Sequence, residues 1–163
     1  MPDRARDWTS GFVLLGLFAG IIGSLLVAWQ YHIDTDPRSV GLHFLGLNAG
    51  YVLGAAGSQR MLRHFQLRWT AVANCVLGCT ALLLLALVPP PFPAEYRIES
   101  LCILGFAAGG LAASLLHVLE RYFRNSPAWA INITGAMFGL GCALATSTIA
   151  ASSSTGVADA ITT

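Results

Sequence analysis

The chain has 163 residues, of which 55% are hydrophobic and only 10% charged, with a net charge of +1. Soluble domains usually carry about 25% charged residues, so this composition argues against a soluble globular protein. The near-neutral balance gives no case for nucleic-acid binding.

Five apolar segments dominate the sequence: Gly11–Trp29, Val40–Gly57, Thr70–Val88, Ile98–Leu119 and Ala128–Ala150. At 1.5 Å per residue a helix of their length spans roughly 27–35 Å, enough to cross a hydrocarbon core of about 30 Å. Backbone groups in lipid must satisfy each other, so the expected fold class is all-α, a polytopic transmembrane helix bundle with five spans. It occupies residues 1–151 and is followed by a polar tail, 152–163, expected to be disordered linker.

The N-terminal lead and first segment resemble a secretory signal, with Arg4 and Arg6 before an apolar run. The run is longer than the usual h-region of about 7–15 residues and ends Val27-Ala28-Trp29-Gln30 without a small-residue cleavage site, so it reads as a retained span. All nine basic residues are arginine. With the N-terminus in the cytoplasm, Arg4, Arg6, Arg60, Arg63, Arg68, Arg121 and Arg124 fall inside, and only Arg38 and Arg97 outside. That bias sets the expected location as the plasma (inner) membrane, multi-pass, N-terminus cytoplasmic and C-terminus outside. The loop after span 2, Ser58–Trp69, is the most basic stretch. Pro89-Pro90-Pro91 and Pro93 stiffen the next connection, and Asn125-Ser126-Pro127 reads as a helix stop and restart.

Small residues four apart mark helix faces that can approach closely in lipid. Such rows are Gly16 and Gly20 in span 1, Gly46, Gly50 and Gly54 in span 2, Gly105 and Gly109 in span 4, and Gly135 and Gly139 in span 5. Span 3 has no glycine pair and ends in Leu82-Leu83-Leu84-Leu85. The expectation is a tight bundle of spans 1, 2, 4 and 5 with span 3 on the lipid-facing periphery.

Ionisable groups are costly in hydrocarbon and tend to mark function, yet every Asp, Glu and Arg falls in a loop or near a span end. His117 and Glu120 share a helical face, as a proton-handling pair or as two interfacial residues; His43 is open to the same alternatives. Asn48, Asn74 and Asn132 lie within spans, with Ser24, Ser114 and Thr134. They serve as interhelical hydrogen-bonding groups or, for Asn48 and Asn132, as polar contacts in a solute cavity. Cys75 and Cys79 are a turn apart, either a metal or redox pair or small buried residues, with no histidine or carboxylate to complete a ligand set. Asn132-Ile133-Thr134 is a glycosylation sequon, but its mid-span position keeps it out of reach. No nucleophile–base pair, phosphate loop or carboxylate pair appears, so neither an enzyme nor a cofactor is expected.

Three stretches resemble the N-terminal half of a major facilitator superfamily transporter. They are Gly54 followed by the basic loop Ser58–Arg68, the glycine-rich Leu104-Gly105-Phe106-Ala107-Ala108-Gly109-Gly110, and the turn and helix holding Tyr122-Phe123-Arg124, Ala130-Ile131-Asn132 and Phe138-Gly139-Leu140-Gly141. Ser58 stands where the family's loop usually has aspartate, Gln66 where it has a turn glycine, and Leu101 where the fourth helix often has arginine. No proline follows the glycines of the fifth helix. The resemblance implies five of twelve helices of a permease that moves a small solute by alternating access, with spans 1 and 4 lining the cavity. Gly54, Arg63 and Arg68 become gating-loop candidates, and the partners are the lipid bilayer, an unknown small solute and another membrane chain. On this reading the chain is a truncated or partial permease. The alternative is a small non-transporting membrane protein that binds partner helices.

The arginine distribution yields a first test. Reporter fusions or thiol labels placed at Gln66 and at Gly156 are expected to report opposite sides of the membrane; the same side for both would mean a miscounted span.

Overall fold

The computed structural model describes residues 10–21, 37–64, 66–88, 93–122 and 127–162. Within them the chain is all helix apart from short turns. The helices are α1 (Ser10–Ile21), α2 (Pro37–Met61), α3 (Leu67–Leu87), α4 (Ala94–Tyr122) and α5 (Pro127–Thr162). Four of them, α2 to α5, are long and apolar enough to cross a membrane. The second part of the expected first span, residues 22–29, lies outside the described residues, as do Arg4, Arg6, Ser24 and Arg124.

Local sequence sets the boundaries. Pro37 opens α2 and Pro127 opens α5, where proline's missing N–H costs nothing and its fixed φ suits the first turn. Arg60 sits in the last turn of α2, where a cation complements the carbonyl end of the helix. Leu62 N bonds Ser58 O, His64 N bonds Met61 O, and the chain turns back into α3 within a few residues. Trp69 and Trp129 are exposed in the first turns of α3 and α5, and Tyr96 in that of α4. Such amphipathic rings suit the headgroup level. α5 continues past Ala150, where the apolar span was expected to end, through the Ser- and Thr-rich segment to Thr162. That segment has no proline, and its lone glycine, Gly156, weakens a helix without ending it.

The chain divides into two compact units, residues 1–31 with 128–163, and residues 32–127. In the second unit α4 is the hub. Some 67% of its span is buried, and Leu101, Leu104, Ala107, Ala108, Leu111, Leu115 and Val118 are all enclosed. A helix that is apolar all round is covered on more than one side, and here α2 and α3 both pack on α4. Their outer faces carry Leu45, Val52 and Leu53 on α2 and Val76, Leu83 and Leu87 on α3, all exposed. This inside-out distribution is what lipid as solvent permits.

Span 3, expected on the lipid-facing periphery, packs on α4 along a single stripe and leaves most of its surface exposed. The share of the span buried inside the chain is 28% for α3 and 17% for α2. A stripe of Thr70, Asn74, Gly78, Ala81 and Leu85 is buried along α3. Small and hydrogen-bonding residues allow close packing there without a paired glycine motif. Of the leucine run, Leu83 and Leu84 are exposed while Leu85 is enclosed.

The buried and exposed faces predict unequal tolerance. Gly50→Leu should lower the thermal midpoint and the monodisperse yield in detergent, because overpacking costs about 1–3 kcal/mol even where side chains can yield. Leu84→Phe on the exposed face should leave both within error of the wild type.

Candidate functional site: paired helices and a buried polar cluster

A Cβ on Gly50 would overlap the carbonyl oxygen of Cys102, and one on Gly54 that of Phe106; Gly46 meets Ile98. Reciprocally, Gly105 lies against the Leu47 carbonyl and Gly109 against the Tyr51 carbonyl. Contacts advance together along both sequences, so α2 and α4 run parallel. Each glycine sets a Cα–H against an oxygen of the other backbone, a weak hydrogen bond that recurs at close helix crossings. Parallel α2 and α4, with α3 returning between them, follow the serpentine course of a chain crossing a membrane.

The other unit repeats the device. Gly16 lies against the Phe138 carbonyl and Cys142 N, Gly20 against the Cys142 carbonyl and the Ala145 methyl, and Gly141 against the Val13 carbonyl. α1 and α5 are therefore also parallel.

Residue by residue the two pairs are the same interface. Gly16 meets Phe138 O and Cys142 N as Gly105 meets Leu47 O and Tyr51 N; Gly20 meets Cys142 O as Gly109 meets Tyr51 O; Gly141 meets Val13 O as Gly50 meets Cys102 O. α1 thus corresponds to α4, and α5 to α2. The sequence carries a trace of this: Leu15-Gly16-Leu17-Phe18-Ala19-Gly20 and Leu104-Gly105-Phe106-Ala107-Ala108-Gly109 share Leu-Gly-x-x-Ala-Gly. Glycine spacing alone hides the correspondence, because the partner helices match through Gly141 and Ala145 against Gly50 and Gly54.

The expected packing residues Gly16, Gly20, Gly46, Gly50, Gly105 and Gly109 all sit at close helix contacts, but Gly135 and Gly139 do not. Among the described residues a Cβ added at either would meet nothing within 4 Å, and the contact on α5 belongs to Gly141, two residues beyond Gly139. The gating-loop candidates separate. Gly54 is buried in the α2–α4 contact, while Arg63 in the turn and Arg68 at the start of α3 are exposed. Asn48 and Asn132 are exposed on their helices, and Asn48 Nδ2 donates to its own helix at Phe44 O, 2.8 Å away. His117 and Glu120 are both exposed, and among the described residues no group of three His, Cys, Asp or Glu could hold a metal. His43 is buried, with Nδ1 2.7 Å from Ser39 O, and Arg97 is buried near the start of α4.

Among the described residues, Asn74 makes a polar link between helices. Its Nδ2 donates to Thr70 O at 2.9 Å and across to Ser58 Oγ at 3.3 Å, tying α3 to the last turn of α2. Gly110 of α4 closes the cluster: a Cβ there would collide with the Asn74 amide oxygen and approach Ser58 Oγ to 2.5 Å. One turn on, Ser114 donates to Gly110 O at 2.8 Å. Ser58, Thr70, Asn74 and Ser114 are all buried. Asn74 and Ser114 were expected as interhelical groups; Ser58 and Thr70 were read as loop and span end, because the sequence does not show that α2 continues to Met61.

No family model matches the chain, and no curated protein or solved structure matches it either.

The α1–α5 contact makes a discriminating pair of variants. Gly141→Leu should destabilise the purified protein, read as a fall in thermal midpoint by several degrees for a loss of about 1–3 kcal/mol. Gly139→Leu, one helical face away, should not.

Proposed function

We propose that this chain is a helical bundle of a membrane transporter of the major facilitator type, which moves a small solute by alternating access. The observation that carries this reading is the matched pairing of α1 with α5 and of α4 with α2. In a chain whose helices cross the bilayer in succession the first and fourth helices have opposite senses, so a match of α1 with α4 and of α5 with α2 is of the kind an inverted repeat leaves. An inverted repeat of three helices, which turns the first helix into the fourth and the second into the fifth, exchanges those two pairs. Inverted-topology repeats of this kind are the building plan of many secondary transporters, including each half of the major facilitator fold. The glycine-rich fourth helix and the basic loop after α2 support the same reading.

On this reading the N-terminus and the Ser58–Trp69 loop face the cytoplasm, and Arg63 and Arg68 border the cytoplasmic mouth. Solute would bind near the midplane against a second bundle, supplied by another chain or by further sequence of the same one. The second reading, a non-transporting protein that binds partner helices, draws on the exposed Gly135 and Gly139 of α5.

Deleting the gene in its native cell should reduce saturable uptake or efflux of at least one small solute, and the wild-type gene should restore it while Gly50→Leu does not. Purified without a partner bundle, the polypeptide should not concentrate any solute in liposomes. Unchanged transport in the deletion strain across a broad solute panel would favour the partner-binding reading.

A further inference from the structure

The correspondence between the two units supplies an internal comparison for the Asn74 cluster. Gly110 follows Gly109, and its counterpart after Gly20 is Ile21. Ser58 stands on α2 where Ile149 stands on α5, each eight residues past the matched glycines Gly50 and Gly141. The same place in the repeated interface is therefore polar in one unit and apolar in the other. The repeated interface does not demand polarity there, since the other unit carries isoleucine at both corresponding positions.

The cluster also holds its helices weakly. Several other hydroxyls donate four residues back along their own helix: Thr80 to Val76 O, Ser100 to Tyr96 O, Ser114 to Gly110 O and Thr134 to Ala130 O. Thr70 does not. Its hydroxyl oxygen is buried with no hydrogen-bond partner, an arrangement that costs free energy in an apolar surrounding. The link it adjoins, Asn74 to Ser58, is long at 3.3 Å. Thr70 lies one turn before Asn74 on the same buried stripe of α3, so a loosening of this junction that admits water would give its hydroxyl a partner.

We propose that Ser58, Thr70 and Asn74 form a clasp between the end of α2 and the start of α3, which opens to release the arginine-bearing turn while the glycine contacts of α2 and α4 stay closed. The Asn74–Ser58 bond and the nesting of the amide on Gly110 favour the closed state. The unpartnered Thr70 hydroxyl favours the open one. The two terms oppose each other, so the clasp is poised. Its place at one end of only one unit breaks the symmetry of the repeat and makes the turn end of α2 the end that yields. Its use as a gate rests on the transport reading; its existence does not.

The test is hydrogen–deuterium exchange of the full chain in lipid nanodiscs, read over residues 58–66 and, as reference, 46–54. Ser58→Ala and Asn74→Leu should each speed exchange over 58–66 by about tenfold, the worth of one hydrogen bond, and leave 46–54 unchanged. Thr70→Val, which keeps the shape and removes the hydroxyl, should slow exchange over 58–66 severalfold. If Asn74→Leu fails to fold, Ser58→Ala and Thr70→Val carry the test. Exchange over 58–66 that is unchanged in Ser58→Ala, or not slowed in Thr70→Val, overturns the clasp. Because the readout is backbone protection, its failure is separate from any failure of the transport reading.

Discussion

Backbone-to-backbone contact between parallel helices is the interaction on which this structure depends. In lipid, burying a leucine against another helix gains little, because the acyl chains it leaves are equally apolar. What remains is van der Waals contact, weak Cα–H···O bonds and interhelical hydrogen bonds, and all three need the helix axes close together. Gly50, Gly54, Gly105 and Gly109 remove the side chains that would hold α2 and α4 apart, and Gly16, Gly20 and Gly141 do so for α1 and α5. The contacted atoms are carbonyl oxygens and backbone nitrogens, which cannot move aside as a side chain can. The rest of each unit follows: α4 becomes a buried hub, and the large apolar side chains of α2 and α3 turn outward.

Polar groups follow the same economy. Hydroxyls within the helices mostly return to their own backbone, at Ser100, Ser114, Thr134 and Thr146, and so neither attract nor repel a neighbour. Asn48 does likewise through Phe44 O. Asn74 reaches another helix because Gly110 leaves room for its amide and Ser58 lies opposite. A residue's type therefore does not decide whether it links helices; the space left by its neighbour does.

That distinction explains what the sequence made legible. Apolar runs and arginine loops marked the helices, and glycines four apart marked most of the close contacts, since both signals are local. Gly135 and Gly139 satisfy the same spacing on the wrong face, and spacing carries no information about which face meets a partner. Gly141 was missed because it works singly, with Ala145 in the place that Gly54 holds on α2. The contact face of α3 was not legible because it rests on Asn74, Gly78 and Ala81, a mixed stripe that a search for paired glycines passes over. The correspondence of α1–α5 with α4–α2 was present as Leu-Gly-x-x-Ala-Gly, yet it gains meaning only when the carbonyl facing each glycine is known.

The two units show what a repeated interface constrains and what it leaves free. Positions that meet backbone are held to glycine or alanine in both copies: Gly16 with Gly105, Gly20 with Gly109, Gly141 with Gly50, Ala145 with Gly54. Larger side chains there would part the helices. One step past the matched glycines the constraint lapses, and the copies diverge, with Ile21 against Gly110 and Ile149 against Ser58. Two apolar side chains at those positions offer no directional bond. A glycine and a hydroxyl admit an amide from a third helix, and with it a bond that can be made or broken. Divergence at the edge of a conserved contact lets one unit acquire a polar junction with α3 while its backbone pairing stays the same as in the other.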